Sequence, residues 1–206
     1  MSAMNQRNYQ RELDCILRDL EREGRVPKLL LHSCCGPCSS YVLEYLSEYF
    51  EITLLYYNPN IYPPQEYRTR EEEEARLIGQ MPFPHRVVMV KGTYEPAEFY
   101  REVKGLEREP EGGARCERCY ELRLRQAAQM AKKTGCDFFT TTLTISPLKS
   151  AQKINAIGER LAREYQVPYL PSDFKKRDGY KRSLELSREY GLYRQNYCGC
   201  IYSIRT

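Results

Sequence analysis

Seven of the nine cysteines lie in three short groups that are far apart along the chain. The groups are Cys34-Cys35-Gly36-Pro37-Cys38, Cys116-Glu117-Arg118-Cys119 and Cys198-Gly199-Cys200. A thiolate is a soft, anionic metal ligand, and distant groups form one thiolate-rich pocket only if the fold brings them together. A structural zinc takes four ligands and a disulfide takes two, so seven thiols exceed either need. The number fits two metal centres, because an iron-sulfur cluster bound by three cysteines keeps one open iron and leaves four for a mononuclear metal.

The length and composition predict one globular domain. The chain has 206 residues, of which 41% are hydrophobic and 29% are charged, and a chain of this kind buries a substantial core. Residues 1–24 are rich in charge and lack an apolar signal core, and no later run is long enough to span a membrane. We therefore expect a cytoplasmic protein with no membrane partner. In that reducing compartment, grouped cysteines are more often metal ligands or catalysts than structural disulfides.

Two cysteines stand outside the groups. Cys15 falls on the face of a predicted helix, and Cys136 lies beside a predicted strand. We expect both to be small buried hydrophobic residues, because isolated free cysteines usually pack in this way.

Hydrophobic periodicity predicts strands that alternate with helices. The predicted strands are 28–33, 51–57, 85–90, 137–143 and 167–170, and the predicted helices are 8–22, 39–49, 65–80, 95–103, 116–133, 149–165 and 180–190. This order is typical of an α/β three-layer sandwich with a mainly parallel sheet. We expect residues 1–206 to form a single α/β metal-binding catalytic domain, with 1–25 as an accessory N-terminal helix.

In such a sheet the ligand site lies beyond the carboxyl ends of the strands. Cys34, Asn58 and the segment 143–146 all follow predicted strand ends. One edge of the sheet is therefore expected to collect the first cysteine group, the Asn58-Pro59-Asn60 loop and the threonine-rich segment into one active site.

The sequence Cys35-Gly36-Pro37-Cys38 is that of a thioredoxin redox dithiol, which is one alternative interpretation. A dithiol relay uses two thiols and has no role for an adjacent third. Neighbouring side chains in an extended segment point in different directions, so we expect Cys34 and Cys35 to serve adjacent metal centres. The working assignment places a 4Fe-4S cluster on Cys34, Cys116 and Cys119. It places a mononuclear iron or zinc on Cys35, Cys38, Cys198 and Cys200.

Other polar residues near strand ends have both a functional and a structural interpretation. His32, on a buried strand, is expected to be a hydrogen-bonded core residue rather than a ligand. Ser146 and Lys149, at a predicted helix start, could bind a phosphate or ribose oxygen. The formal charge of +4 does not decide whether nucleic acid binds. The basic stretch Lys175, Lys176, Arg177, Lys181 and Arg182 is either a solvated face or a phosphate-binding surface.

Six segments in order resemble the QueH family, the cobalamin-independent epoxyqueuosine reductases. They are LHSCCGPCS, YYNPNIYPPQEYRTR, RCERCYELRL, FFTTTLTISPLKS, FKKRDGY and YRQNYCGC, and the resemblance extends from about residue 28 to the C-terminus. It implies reduction of epoxyqueuosine at the tRNA wobble position to queuosine, the last step of queuosine biosynthesis. It also implies an iron-sulfur cluster beside a further metal, an external one-electron donor, and a core like the nucleotide-binding α/β hydrolase and PP-loop folds. The chain lacks a Gly-rich P-loop, so we expect no use of ATP.

The expected mechanism joins metal and proton chemistry. An open metal position would polarise the epoxide oxygen while the cluster relays electrons. Candidate proton donors, by motif position, are Tyr67, Tyr120, Asp178 and Tyr197. Candidate contacts to the substrate or tRNA are Asn58, Asn60, Arg70, Ser146, Lys149, Lys175, Lys176 and Arg177.

Two alternatives remain at this point. A PP-loop-like tRNA-thiolating enzyme would hydrolyse ATP and carry a pyrophosphate loop. A zinc-stabilised RNA-binding module would use all three cysteine groups structurally and contain no sulfide.

Overall fold

The computed structural model describes residues 7–204. Within this range the chain forms four strands, β1 (Lys28–Ser33), β2 (Glu51–Tyr56), β3 (Val87–Lys91) and β4 (Phe138–Thr141). It also forms seven α-helices, α1 (Tyr9–Glu23), α2 (Gly36–Leu46), α3 (Pro64–Gln80), α4 (Pro96–Glu102), α5 (Ala114–Thr134), α6 (Ala151–Tyr165) and α7 (Gly179–Glu189). None of these helices is long and apolar enough to cross a membrane.

The four strands pair in parallel in the order β3-β2-β1-β4. The central strand β1 is buried from its second residue to its last, as expected for a strand covered on both faces. The chain moves outward from β1 to β2 and β3 and then returns to place β4 on the other side of β1. Ligands of such sheets bind where the strand order reverses, beyond the carboxyl ends. The segments that follow β1 and β4 therefore mark the expected site.

Helices cover both faces of the sheet, each over its own apolar cluster. On one face, α1, α2 and α3 pack against β1 and β2 through residues that include Leu17, Leu43 and Leu54. On the other face, α5 and α6 pack through residues that include Leu124 and Leu161. The predicted fold class, an α/β three-layer sandwich with a parallel sheet, is confirmed.

Helix α1 contributes to the main core, although the sequence suggested an accessory role. Its Leu13, Leu17 and Leu20 are almost completely buried in the same cluster as β1 and β2. The prediction that Cys15 is buried is wrong, because its position on α1 faces solvent, and Cys136 is only partly buried.

Two element boundaries differ from the prediction and move residues of the site. The second helix begins at Gly36 instead of residue 39, so Cys38 lies in its first turn. The fourth strand ends at Thr141 instead of residue 143, because the Thr141 hydroxyl accepts a hydrogen bond from the Leu143 amide and begins a 3₁₀ turn over Thr142–Ile145.

The predicted strand 167–170 is reduced to a single bridge between Phe139 and Tyr169. The Phe139 amide donates to the Pro168 carbonyl, and the Leu170 amide donates to the Phe139 carbonyl. Pro168 has no N–H to donate, which limits this segment to an edge position.

Candidate metal centres and active site

The first cysteine group forms a compact cluster of sulfurs at the end of β1. The chain bends at Cys34, and Cys35 is the N-cap of α2 in an extended conformation. The Cys34 and Cys35 sulfurs lie 3.9 Å apart, and the sulfurs of Cys34, Cys35 and Cys38 all lie within 4.8 Å of one another. The expectation that Cys34 and Cys35 point apart is wrong, because the bend between strand and helix turns both side chains to one place. The three thiols could hold a metal ion.

The other four grouped cysteines line a narrow cavity next to this cluster. Cys116 and Cys119 come from the first turns of α5, and Cys198 and Cys200 come from the C-terminal loop. Cys198 also lines a second, open cavity of about 180 Å³ together with Cys34 and Cys38. The fold thus brings all three cysteine groups to one edge of the sheet, as the sequence predicts.

The working assignment of the cysteines to two metal centres stays a prediction, and the distances between sulfur atoms single out one group. Within residues 7–204, Cys34, Cys35 and Cys38 are the only group of three or more potential ligands whose donor atoms come within 4.8 Å of one another. Neither Cys34, Cys116 and Cys119 nor any three of Cys116, Cys119, Cys198 and Cys200 are gathered to that distance. The structure thus contains a cluster of three thiols beside a cavity lined by four.

The thiols of the first group have strongly different proton affinities. Hydrogen bonds from Cys35 and Cys38 hold the pKa of Cys34 well below its usual value. The interaction with Cys34 raises the pKa of Cys38 to about 12 and that of Cys35 well above its usual value. Three sulfurs that share protons in this way bind a soft cation readily once they are deprotonated.

The C-terminal cysteine loop is fixed to α3 by a buried arginine. Arg70 is 1% exposed and pairs with Glu66 at 2.8 Å. It also donates to the carbonyl oxygens of Cys198, at 3.2 Å, and Tyr197. The loop carbonyl of Gly199 accepts from the Tyr62 amide at 2.8 Å. Gly199 has a backbone φ of +129°, and the Arg70 side chain lies 3.2 Å from where a Cβ would be. Both observations require glycine at this position.

His32 lies beneath the cysteine cluster and is completely buried. Its Nε2 donates to the Tyr57 carbonyl at 3.1 Å, and its Nδ1 accepts from the Thr141 hydroxyl at 2.9 Å. Burial, with the nearby Arg123 cation, lowers the pKa of His32 to about 4, so the ring is neutral. The prediction that His32 is a hydrogen-bonded core residue is confirmed.

Several residues predicted for the site line the cavities. Ser146, Lys149 and Tyr197 line the open cavity. Asn60 and Tyr120 line the four-cysteine cavity. The Tyr197 hydroxyl donates to the Tyr62 carbonyl.

Other predicted residues lie away from both cavities. Tyr67 stacks on Tyr94 with ring centroids 4.0 Å apart in the core, and burial raises its pKa to about 12. Asn58 is buried and donates to the Ser33 carbonyl at 2.8 Å, which supports the end of β1. Asp178 is exposed at the start of α7. Neither cavity is lined by Lys175, Lys176 or Arg177.

Comparisons with known proteins identify the family of the chain. The model of the family described as epoxyqueuosine reductase QueH matches residues 29–206. The relative from Streptococcus pyogenes, an epoxyqueuosine reductase QueH, is 43% identical over 96% of this chain and 78% of its own length. Those from Staphylococcus epidermidis and Staphylococcus aureus are 44% and 42% identical over 95% of this chain and 84% and 83% of their own lengths.

The chain belongs to the QueH family. Membership makes it an oxidoreductase, an epoxyqueuosine reductase, as the sequence resemblance implies. The match begins at the second residue of β1 and includes all three cysteine groups, so the family's segment and the sulfur sites of this structure coincide.

The donor set of this QueH protein fits thiolate-bound metal centres. All seven grouped cysteines are free thiols in buried or partly buried positions. Four of them share one narrow cavity with two buried arginines, Arg115 and Arg123. Soft anionic ligands near cationic side chains favour zinc, iron or an iron-sulfur cluster over hard cations such as Mg²⁺.

Sequence reasoning missed several residues of the site. Gln195 and Asn196 belong to the YRQNYCGC segment, yet they were not predicted as site residues. Both line the open cavity, and the Gln195 amide donates to the Cys35 sulfur at 2.9 Å. Arg123, one turn after Cys119 on α5, was also missed. Its spacing from Cys119 was the available signal, because residues four apart lie on the same helix face.

One buried carboxyl, Glu74 of α3, supports the cysteine loop from behind. It is fully buried, and its Oε2 accepts from the Ser33 hydroxyl at 3.3 Å. Its Oε1 has no hydrogen-bond partner within residues 7–204. Burial raises the pKa of Glu74 to about 8, so the folded protein keeps this group neutral at pH values where the unfolded chain has ionised it.

We expect the stability of this QueH protein to fall with rising pH because of Glu74. Its folded pKa exceeds the unfolded one, so the folded state binds the extra proton, and stability is lost between the unfolded value and about pH 8. The loss from about pH 6 to about pH 9 is on the order of 3 kcal/mol. Urea unfolding should show that Glu74→Gln abolishes most of this slope, whereas Glu72→Gln, an exposed change on the same helix, leaves it in place. Equal slopes in all three proteins would contradict the assignment.

Proposed function

We propose that the chain reduces epoxyqueuosine in tRNA to queuosine in the open cavity beside Cys34, Cys38 and Cys198. The observation that supports this most is the convergence of three cysteine groups at the reversal point of the sheet, next to a cavity that opens to solvent. The overall change removes the epoxide oxygen: the epoxide, two electrons and two protons give an alkene and one water.

The proposed cofactors are a 4Fe-4S cluster and a mononuclear metal. The proposed ligands of a cluster with one open iron are Cys34, Cys35 and Cys38, of which Cys34 and Cys38 line the open cavity. The proposed ligands of a tetrathiolate site for iron or zinc are Cys116, Cys119, Cys198 and Cys200, which line one narrow cavity. Bound at these sites, the cluster would supply one electron at a time, and its open iron would supply a Lewis acid for the epoxide oxygen. An external one-electron donor is proposed as the source of these electrons, because each turnover consumes two electrons that the protein must regain.

Lys149 is the residue best placed to assist the departing oxygen. It lines the open cavity, and its Nζ makes no hydrogen bond or ion pair with any residue in the described part of the chain. Burial lowers the pKa of Lys149, but the thiols of Cys198, Cys34 and Cys38 outweigh this effect and raise it, so the side chain stays cationic. An ammonium group at this position binds the oxygen as negative charge develops and donates a proton to it.

The rim of the cavity supports a nucleoside. Leu148 is 67% exposed and Tyr180 is 37% exposed, and both line the cavity entrance. An aromatic ring and an apolar side chain at the mouth can hold a base that is turned out of its stack. Gln195 and Asn196 line the same cavity and offer hydrogen bonds to a bound base.

A basic groove continues from this cavity and is the proposed tRNA contact. Its volume is about 800 Å³, and its cationic lining residues are Arg7, Lys149, Lys175 and Lys176. Lys149 also lines the open cavity, so phosphates in the groove would lie next to the nucleoside. Three cations of the basic stretch have acidic partners: Lys175 pairs with Asp173 of the groove at 2.5 Å, Arg177 with Asp14 of α1 at 2.6 Å, and Arg182 with Glu44 of α2 at 2.6 Å. Part of the basic stretch is therefore engaged in structural ion pairs.

We expect the double change Lys175→Gln and Lys176→Gln to weaken tRNA binding without changing the maximal rate. Each lost phosphate contact to a single strand lowers the slope of log affinity against log salt by about 0.7, so the pair should lower it by roughly 1.4. Filter binding over a salt series measures this slope. The matched control is Lys132→Gln with Lys133→Gln, two exposed lysines at the end of α5. Equal slopes for both double variants would place the tRNA elsewhere.

The proposed function is tested by anaerobic purification followed by iron, zinc and sulfide analysis and an assay on epoxyqueuosine-containing tRNA. The expected result is iron with sulfide and conversion of the modified base on addition of a chemical one-electron donor. Stoichiometric zinc without sulfide, in a protein that binds RNA but leaves the base unchanged, would support the zinc-stabilised binding module instead.

A further inference from the structure

Two arginines beside the four-cysteine cavity are buried without an acidic partner. Arg123 is 2% exposed and Arg115 is 3% exposed. Within residues 7–204 neither lies within ion-pair distance of a carboxylate. Arg70, the third fully buried arginine of the region, does have such a partner in Glu66. The contrast sets Arg115 and Arg123 apart.

The hydrogen bonds of both arginines are also incomplete. Arg123 donates from Nε to the Cys119 carbonyl at 3.1 Å, and its Nη2 has no partner among the described residues. Arg115 donates from Nη1 to the carbonyls of Glu107 and Glu109, and its Nε has no partner in the same range. Both side chains line the cavity that contains Cys116, Cys119, Cys198 and Cys200.

A buried cation needs a nearby anion. Removing an ion from water is costly, and proteins bury charges only when these are paired or bind a metal site. The cavity that both arginines line also contains four thiols and one carboxyl group, that of Glu111. Glu111 is exposed and lies beyond ion-pair distance of both arginines, so the cysteines are the remaining candidates for negative charge. Four thiolates around a divalent ion carry a net charge of minus two, which two guanidinium groups neutralise.

We infer that Arg115 and Arg123 are the counter-charges of a tetrathiolate metal centre formed by Cys116, Cys119, Cys198 and Cys200. The inference rests on the proposed assignment of these four cysteines. The unpaired N–H groups would donate to the ligand sulfurs, and charge-assisted bonds of this kind stabilise the anionic form of a centre.

The test replaces Arg123 by methionine and measures two quantities whose changes should have opposite signs. Affinity of the second centre for zinc or iron, measured by competition with a chelator, should fall about 10–100-fold, as for the loss of a residue that supports metal ligands. Stability of the metal-free protein should stay equal or rise, because a buried unpaired charge has been removed. Arg123→Lys keeps the charge and should retain most of the affinity. The control is Arg125→Met on the same helix, where Arg125 is one-third exposed and pairs with Glu121.

The outcomes separate this inference from the ligand assignment. If Cys200→Ser leaves metal binding unchanged, the four-cysteine centre itself is wrong. If Cys200→Ser loses the metal but Arg123→Met binds it as tightly as the unchanged protein, the centre stands and the counter-charge role is wrong. A parallel fall in metal-free stability and metal affinity, with no rescue by Arg123→Lys, would assign Arg123 a packing role only. When iron is bound, Arg123→Met should also stabilise the oxidised ion relative to the reduced ion by tenfold or more. For a one-electron couple, a tenfold change lowers the midpoint potential by about 59 mV.

Discussion

Replacement of Cys198 by serine is expected to abolish epoxyqueuosine reduction. Cys198 lines the open cavity together with Cys34 and Cys38, and it also lines the four-cysteine cavity together with Cys119 and Cys200. A change at this position therefore reaches both proposed metal centres at once. Serine is smaller and harder as a ligand, and loss of a direct thiolate should cost more than the roughly 10–100-fold expected for loss of a supporting residue.

The measurement combines turnover with metal and sulfide content in anaerobically purified protein. We expect turnover to fall at least about 100-fold and the metal of the four-cysteine cavity to be lost. Cys15→Ser and Cys136→Ser are the matched controls, because both cysteines stand outside the three groups. A Cys198→Ser protein that keeps full activity would remove this cysteine from the site, and equal losses in the controls would point to general thiol damage.

The sequence was sufficient to locate the site along the chain. Periodicity is local information, so the strand over 28–33 and the helix that contains Cys116 and Cys119 could be predicted from it. Topology rules then place the end of β1 beside the end of β4 at one edge. These two steps were enough to predict that distant cysteines meet.

The same reasoning could not predict the directions in which the side chains point. Cys34 and Cys35 share one sulfur cluster because the chain bends between strand and helix, and the bend depends on how α2 packs on the sheet. The counter-charge of the four-cysteine cavity was missed for a similar reason. Arg123 resembles its exposed neighbour Arg125 in the sequence, and only the packing of α5 against the sheet buries one and leaves the other at the surface.

Arg70 illustrates how a residue of the second motif can act on the third cysteine group. Its position in the sequence motif alone suggests a substrate contact, since Arg70 follows the Asn58-Pro59-Asn60 loop. In the structure its guanidinium is turned inward, between Glu66 and the carbonyls of Tyr197 and Cys198. The two partners are 128 residues apart in the case of Cys198, so no local pattern predicts the contact.

Arg70→Gln is therefore expected to release the C-terminal cysteine loop from α3. The change removes both guanidinium donors to the loop carbonyls and leaves Glu66 with the Tyr193 hydroxyl but without its cationic partner. Breaking a buried ion pair costs about 3–5 kcal/mol. Stability alone does not separate loop anchoring from loss of the ion pair. The double change Glu66→Gln with Arg70→Gln removes the unpaired carboxylate, so it should recover much of the unfolding free energy while the loop stays unanchored.

The decisive comparison is between the free energy of unfolding and the retention of metal in these two variants. We expect both to lose the metal bound through Cys198 and Cys200, and with it most of the turnover, although only the single variant is strongly destabilised. Arg68→Gln, an exposed change on the same helix, should behave like the unchanged protein in both measurements. If the double variant recovers metal and turnover together with stability, Arg70 serves α3 rather than the loop. Recovery of stability without metal would show that the buried guanidinium holds Cys198 and Cys200 in the position where they bind.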